Sequence, residues 1–333
     1  MTYFGGKRRV AREVWRRVGD VPNYIEPFFG SGAVLLGRPE FEGNRIETVN
    51  DMDGHLANFW RALQHDPDAV AYHADWPVSE LDSHARGDWL YYRPDARAWV
   101  ERLRADPDYY DAKSAGWWVW FVSTWIGSLP SMDKPQTAAG TTNRQLPHLG
   151  TSGGGVARQL PHLGGGFSPN QGVALITTPD SRREHLTAYM RRLAARLERV
   201  RVCCGDWSRV TGPSVTWKHG LTAVFLDPPY SHDERDGQLY STESATVAAE
   251  CREWAIANGD NPLMRIALCG YDTEHAMPDN WCAYAWKAAG GYGSLSNGRG
   301  RVNKHREVIW FSPHCINPVD TLPLFAANGY TQS

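Results

Sequence analysis

The chain has 333 residues, 42% of them hydrophobic, enough for one large core or two modest ones. A net charge of −2 excludes a strong overall attraction to nucleic acid and leaves any such binding to local basic patches. The cysteines at 203, 204, 251, 269, 282 and 315 show no Cys-x-x-Cys pair and no Cys/His zinc spacing, so reduced core thiols and no metal are expected.

Tyr3-Phe4-Gly5-Gly6-Lys7 carries no signal-peptide pattern. The longest apolar stretch, 115–129, contains Ser and Thr and falls short of a membrane span, so a soluble cytoplasmic protein without a membrane partner is expected. The paired glycines allow close backbone approach or positive φ. Tyr3 before them and Lys7 after them suit a nucleoside and an anion; a plain N-terminal turn is the alternative. A helix follows, with Val10, Val14, Trp15 and Val18 on one face and arginines on the other.

Asn23 to Leu36 reads as strand, glycine turn, helix. The turn Glu26-Pro27-Phe28-Phe29-Gly30-Ser31-Gly32 exposes backbone N–H groups and leaves room for a cofactor. Leu35 stands where a dinucleotide fingerprint needs its third glycine, so a dinucleotide is disfavoured; a bare strand–helix turn is the alternative. Arg45 to Asp51 predicts a second strand ending in an acid, the usual partner of ribose hydroxyls in nucleoside-binding α/β folds. A helix with Leu56, Phe59, Trp60 and Leu63 inward comes next.

Between Gln64 and Asp180 the β/α alternation stops. This segment is rich in Trp, Tyr, Asp and Pro and passes into a Gly-rich stretch, 137–166. Arg-Gln-Leu-Pro-His-Leu-Gly occurs there twice, at 144–150 and 158–164, too few copies for a solenoid. Arg144 and Arg158 suit base edges or phosphates; a duplicated passive insertion is the alternative. The arginines at 182, 183, 191 and 192 form a second basic patch, which a solvated helix face explains equally well.

The α/β pattern resumes with a helix on Leu186, Met190, Leu193 and Leu197 and a strand from Val200 to Cys204, closed by Gly205-Asp206-Trp207. The run Thr222-Ala223-Val224-Phe225 reads as a buried parallel strand and meets Leu226-Asp227-Pro228-Pro229-Tyr230. Two prolines forbid further strand or helix there. An acid, prolyl carbonyls and a ring at a strand tip suit a planar group bearing an NH₂: carboxylate and carbonyl accept its N–H bonds, and the ring stacks on its π-face. A capped Pro-Pro turn is the bland alternative. A helix near 244–258 and a strand at 264–269 follow. Two apolar strands around a polar loop holding Arg299, Arg301 and Lys304 predict a terminal hairpin.

Taken in order, Tyr-x-Gly-Gly-Lys, Glu-Pro-Phe-Phe-Gly-Ser-Gly, Asn-Asp and Asp-Pro-Pro-Tyr resemble the Dam-like DNA adenine-N6 methyltransferases (D12 class, alpha group). The resemblance covers about 1–60 and 183–312 and implies a Rossmann-like, S-adenosylmethionine-dependent α/β fold with a terminal antiparallel hairpin and an inserted, mainly helical or irregular target-recognition region. On this basis 1–63 and 183–315 form the catalytic domain, 64–182 the DNA-binding insertion, and 316–333 a tail. The resemblance implies that Tyr3, Gly6, Lys7, Glu26, Pro27, Phe28, Gly30, Gly32, Asp51, Asp206, Trp207 and Asp227 line the cofactor site. It makes Asp227, Pro228, Pro229 and Tyr230 catalytic, with Tyr230 stacked on a flipped adenine of double-stranded DNA. Lys7, Arg144, Arg158, Arg299, Arg301 and Lys304 are the DNA-binding candidates, and a cognate restriction endonuclease is a candidate partner. The stretch Trp120 to Leu129 matches the family's recognition motifs only loosely, so no target sequence is inherited. N4-cytosine, RNA or a protein amide as acceptor, and a non-catalytic DNA-binding relic, stand as competing readings.

Overall fold

The β4 strand, Thr222–Leu226, is buried along its whole length, as an uninterrupted apolar run in a parallel sheet must be. It lies between β1 (Asn23–Glu26) and β5 (Met264–Tyr271) and runs parallel to both, with Ile25 level with Val224 and Leu226 level with Leu268. The structure, a computed structural model, describes residues 7–40, 43–125, 179–229, 242–286 and 307–317, without side chains at 179–181 and 242–245. Among the described residues seven strands form one mixed sheet in the order β3-β2-β1-β4-β5-β7-β6. The remaining strands are β2 (Ile46–Asp51), β3 (Val200–Cys204), β6 (Cys282–Ala285) and β7 (Glu307–Phe311). β7 pairs antiparallel with β5, and β6 antiparallel with β7. This is the Rossmann-like sheet with a terminal hairpin that the sequence predicts.

The chain divides into two compact units. One comprises 5–28, 32–47 and 210–333. Among its described elements are α1 (Ala11–Val18), α2 (Ala33–Leu36), α9 (Thr242–Gly259), β1, β4, β5, β6 and β7. Val14, Trp15 and Val18 of α1 are buried as its period requires. Arg17 is buried too. Its guanidinium bonds Glu13 and lies over the rings of Tyr284 and Phe311, so the cation is matched as well as covered.

The other unit comprises 1–4, 29–31 and 48–209. Its helices are α3 (Gly54–His65), α4 (Pro67–Ala74), α5 (Glu80–Tyr92), α6 (Ala96–Ala105), α7 (Ala112–Thr124) and α8 (Pro179–Leu197). The segment where the alternation stops is therefore helical wherever it is described. Asp66, Ser79 and Asp111 cap α4, α5 and α7 with side-chain oxygens. α7 buries Trp118, Trp120 and Phe121 and is apolar nearly all round, as a central helix is. Gly116 lets it approach α4: a Cβ there would stand 2.6 Å from the Val70 carbonyl oxygen. In α8 the buried residues are Leu186, Met190, Ala194 and Leu197; Leu193 is only half-buried, one position off the expected stripe. Arg182 and Arg183 pair with Asp75, and Arg191 with Asp68, so three of the four arginines at 182, 183, 191 and 192 are ion-paired; Arg192 lies over the Tyr189 ring.

Among the described residues Arg61 of α3 bonds backbone carbonyls and no carboxylate. Its buried guanidinium donates to the carbonyls of Val202, Leu103 and Asp106 at 2.9, 2.8 and 3.0 Å. It thus ties β3 to the end of α6 and the turn beyond, and those orphan carbonyls are satisfied. Among the described residues no helix is long and apolar enough to cross a membrane.

Candidate active site

In a sheet of this order, the strand succession reverses between β1 and β4, and ligands bind in the crevice at the carboxyl ends of the strands there. Pro228 and Pro229 stop β4, and Asp227 stands at its tip with a side chain 20% exposed. The Lys7 ammonium lies 3.0 Å from Asp227 Oδ1 and 3.4 Å from Glu307 Oε2, and is only 4% exposed. Burial works against the charged ammonium. Asp227 and Glu307 outweigh that penalty and hold Lys7 above the ordinary lysine value. Register places Cys269 beside this cluster; burial pushes its thiol well up, so it stays neutral.

Glu26 ends β1. Its Oε2 accepts from Tyr24 Oη at 2.9 Å and from Leu35 N at 3.3 Å. The carboxylate thus fixes the first turn of α2 and shapes the loop that leads into it. Pro27 is buried and Phe28 half-buried. Gly32, the residue before α2, has φ 65°, a left-handed conformation that side chains resist.

A second cluster belongs to the other unit. Gly30, at φ 49°, donates its N–H to Asp51 Oδ2 at 3.0 Å, and Asp53 N donates to Asp51 Oδ1 at 3.0 Å. The Gly30 carbonyl accepts from Trp60 Nε1 at 3.1 Å, and Phe29 N bonds the Asn50 carbonyl. The Asp51 carbonyl accepts from Gly205 N at 3.0 Å, while Asn50 Nδ2 donates to the Gly205 carbonyl. Loops 29–31, 51–53 and 205–207 are thereby stitched together. Loss of solvation pushes the Asp51 carboxyl up to about 7; the Asp53 charge adds to this, and the backbone N–H bonds oppose it. Asp206 is exposed and caps the turn at Trp207–Val210 through Ser208 N; Trp207 is buried.

Sequence candidates therefore fall into two groups. Gly30, Asp51, Asp206 and Trp207 come together in one unit, and Lys7 and Asp227 in the other. Tyr3, Gly6, Tyr230, Arg144, Arg158, Arg299, Arg301 and Lys304, with the repeat at 144–150 and 158–164, lie outside the described residues. Sequence reading missed Asp53 and Glu307. Asp53 was legible as an N-cap acid just past a strand; its side chain accepts from His55 N and Leu56 N. Glu307 was legible only as a lone acid opening an apolar strand. Among the described residues no group of three or more His, Cys, Asp or Glu side chains is arranged to hold a metal.

Residues 3–111 match the model of the D12 class N6 adenine-specific DNA methyltransferase family. The D12-class part of the resemblance drawn from the motifs is thereby borne out over residues 3–111, a stretch that runs past residue 60 into the segment read as an insertion. The matched segment includes Lys7, Glu26, Gly30, Gly32 and Asp51 and ends before Asp206 and Asp227. No curated protein matches the chain.

Proposed function

From this match over residues 3–111 we propose that the protein is a site-specific DNA adenine-N6 methyltransferase of the Dam-like, alpha-group order, using S-adenosylmethionine. The observation that carries the reading is the Lys7–Asp227 pair at the end of a buried central strand closed by two prolines. The paired glycines at positive φ and an Asp51 carboxylate aimed by two backbone N–H groups fit the glycine cradle and ribose acceptor that this cofactor requires.

In this reading Asp51 accepts the ribose hydroxyls, Asp206 the cofactor adenine amine, and Gly30 and Gly32 leave room for the methionine moiety. Tyr3, Gly6, Glu26, Pro27, Phe28 and Trp207 complete the wall. When bound, the cofactor supplies an electrophilic sulfonium methyl whose C–S bonding pair departs with sulfur. Asp227 and the Pro228 carbonyl accept the two N–H bonds of the target amino group, which frees its lone pair from the ring and aims it for in-line transfer. Asp227 then takes the proton that the methylated nitrogen sheds and releases it to water. Lys7 orients Asp227. Pro229 stiffens the exit from the strand, and Tyr230 stacks on the flipped base, offsetting part of the unstacking cost.

We assign 1–63 and 183–315 to catalysis and 64–182 to target recognition. Duplex DNA is the partner, contacted by Arg144, Arg158, Arg299, Arg301 and Lys304; Lys7, a DNA-binding candidate from sequence, is instead buried and paired to Asp227 and Glu307. A cognate nuclease is a further candidate partner, and the cytoplasm the proposed location. The test is methylation of plasmid DNA lacking adenine methylation, with labelled cofactor, nucleoside mass analysis and site mapping. N6-methyladenine at one short motif is expected; N4-methylcytosine, or no label in DNA, contradicts the reading.

A further inference from the structure

Trp60 lies in the middle of α3 and is 2% exposed. A buried indole needs an acceptor for its N–H. Trp60 takes the carbonyl of Gly30, 3.1 Å from Nε1 and 30 residues away in the chain. The Phe29 ring packs against the same indole, with centroids 4.9 Å apart. The Phe59 ring also meets it, at 4.9 Å. The side chain that completes this part of the core thus also bonds the backbone of the glycine turn.

Gly30 is held at both of its peptide planes. Asp51 Oδ2 accepts its N–H at 3.0 Å on one side, and Trp60 donates to its carbonyl on the other. Between the two planes φ is 49°. A glycine without such bonds visits negative φ as readily, so the pair of bonds selects one conformer. The Gly30–Ser31 peptide is trans, and its N–H therefore points opposite to its carbonyl. The carbonyl faces the buried indole, so the Ser31 N–H is aimed away from it. Ser31 is half-buried, and among the described residues its N–H meets no acceptor. A backbone donor turned outward beside Asp51 suits an acceptor atom of a ligand.

We propose that Trp60 is a positioning residue for cofactor binding: its indole N–H fixes the Gly30 carbonyl, keeps the turn at positive φ, and so aims the Ser31 N–H at the cofactor while the Gly30 N–H holds Asp51. The inference rests on the cofactor site proposed above. Trp60 acts through the turn and touches neither the cofactor nor the reacting atoms. A purely structural tryptophan would need its shape; this role needs its N–H.

Two variants of the full chain test it, with two readouts. Trp60→Phe keeps a ring and loses the donor. Benzothienylalanine at position 60 keeps the indole shape and puts sulfur where the N–H was. Both are expected to weaken S-adenosylmethionine binding about tenfold in calorimetry, with kcat at saturating cofactor within about twofold of wild type. In the cofactor-free protein the Gly30 N–H bond lowers an Asp51 carboxyl that titrates near 7. A loosened turn weakens that bond, so the Asp51 carboxyl ¹³C resonance is expected to titrate about half a pH unit higher in both variants. Wild-type affinity in the benzothienylalanine protein overturns the inference, since shape alone then suffices. So does an unchanged Asp51 titration, or a kcat that falls while affinity holds. If wild type takes up no S-adenosylmethionine, the cofactor reading fails, and the Asp51 titration still decides whether the Trp60 N–H holds the turn.

Discussion

Asp51 and Asp227 are the same residue at the ends of two strands, in opposite surroundings. Asp51 is gripped by the backbone N–H groups of Gly30 and Asp53, and the charge of another carboxylate, Asp53, adds to the effect of its burial. Asp227 meets a buried ammonium that it shares with Glu307. The first environment pushes a carboxyl toward neutrality and suits uncharged hydroxyls. The second sets a carboxylate against a buried ammonium, which suits an acceptor for the proposed target amino group. Position at a strand tip therefore does not define a role; the groups around the carboxylate do.

The comparison breaks most sharply at Asp227. Asp227→Ala is expected to cut methyl transfer by roughly 10³-fold while cofactor affinity stays within a few fold. Single-turnover assays and calorimetry separate the two effects. Next comes Lys7→Met, which removes the ammonium that Asp227 and Glu307 share. A loss of about 3 kcal/mol is expected in denaturant unfolding, because one partner of a mostly buried ionic cluster is removed.

The other side of the comparison is read with pH. The Asp51 carboxyl titrates near 7, so cofactor affinity should weaken about tenfold per unit as pH falls below that value and the ribose acceptor gains a proton. Calorimetry over roughly 1.5 pH units either side of 7 measures this; Asp51→Asn should bind weakly with a flat profile. The sign for stability is opposite. A carboxyl raised above its unfolded value favours the folded state most at low pH and loses that contribution as pH rises through about 7. A smaller effect is expected from Gly30→Ala, which forces a side chain into φ 49° and should cost about 1–2 kcal/mol, seen as a lowered melting temperature and weaker cofactor binding. The smallest is the double change Arg144→Ala, Arg158→Ala: DNA affinity should fall a few fold with a shallower salt slope, and cofactor binding should not change.

Much of this was legible from local pattern. The period of Val14, Trp15 and Val18, the run from Thr222 to Leu226 and the glycine turn after Glu26 each placed an element, because local propensity and burial agree there. The helices from α4 to α7 were not separable by eye. α7 is apolar on nearly every face, so period gives no direction, and only its caps and the packing of Gly116 against α4 reveal it. The contacts of Arg61 and Glu307 were invisible for a different reason. One acts through carbonyls of β3 and the end of α6, the other through a lysine 300 residues away in the chain. Contacts of that range exist only once the fold has formed.

The most direct test is of the division of labour between the two carboxylates. Asp227→Ala and Asp51→Ala are compared side by side for cofactor binding by calorimetry and for N6-methyladenine formed in one turnover at saturating cofactor. The Asp227 variant is expected to bind cofactor and form no methyladenine, while the Asp51 variant is expected to bind poorly and regain turnover as cofactor is raised. Methyladenine formed by the Asp227 variant at more than a few per cent of wild type, or cofactor binding untouched by loss of Asp51, would contradict it.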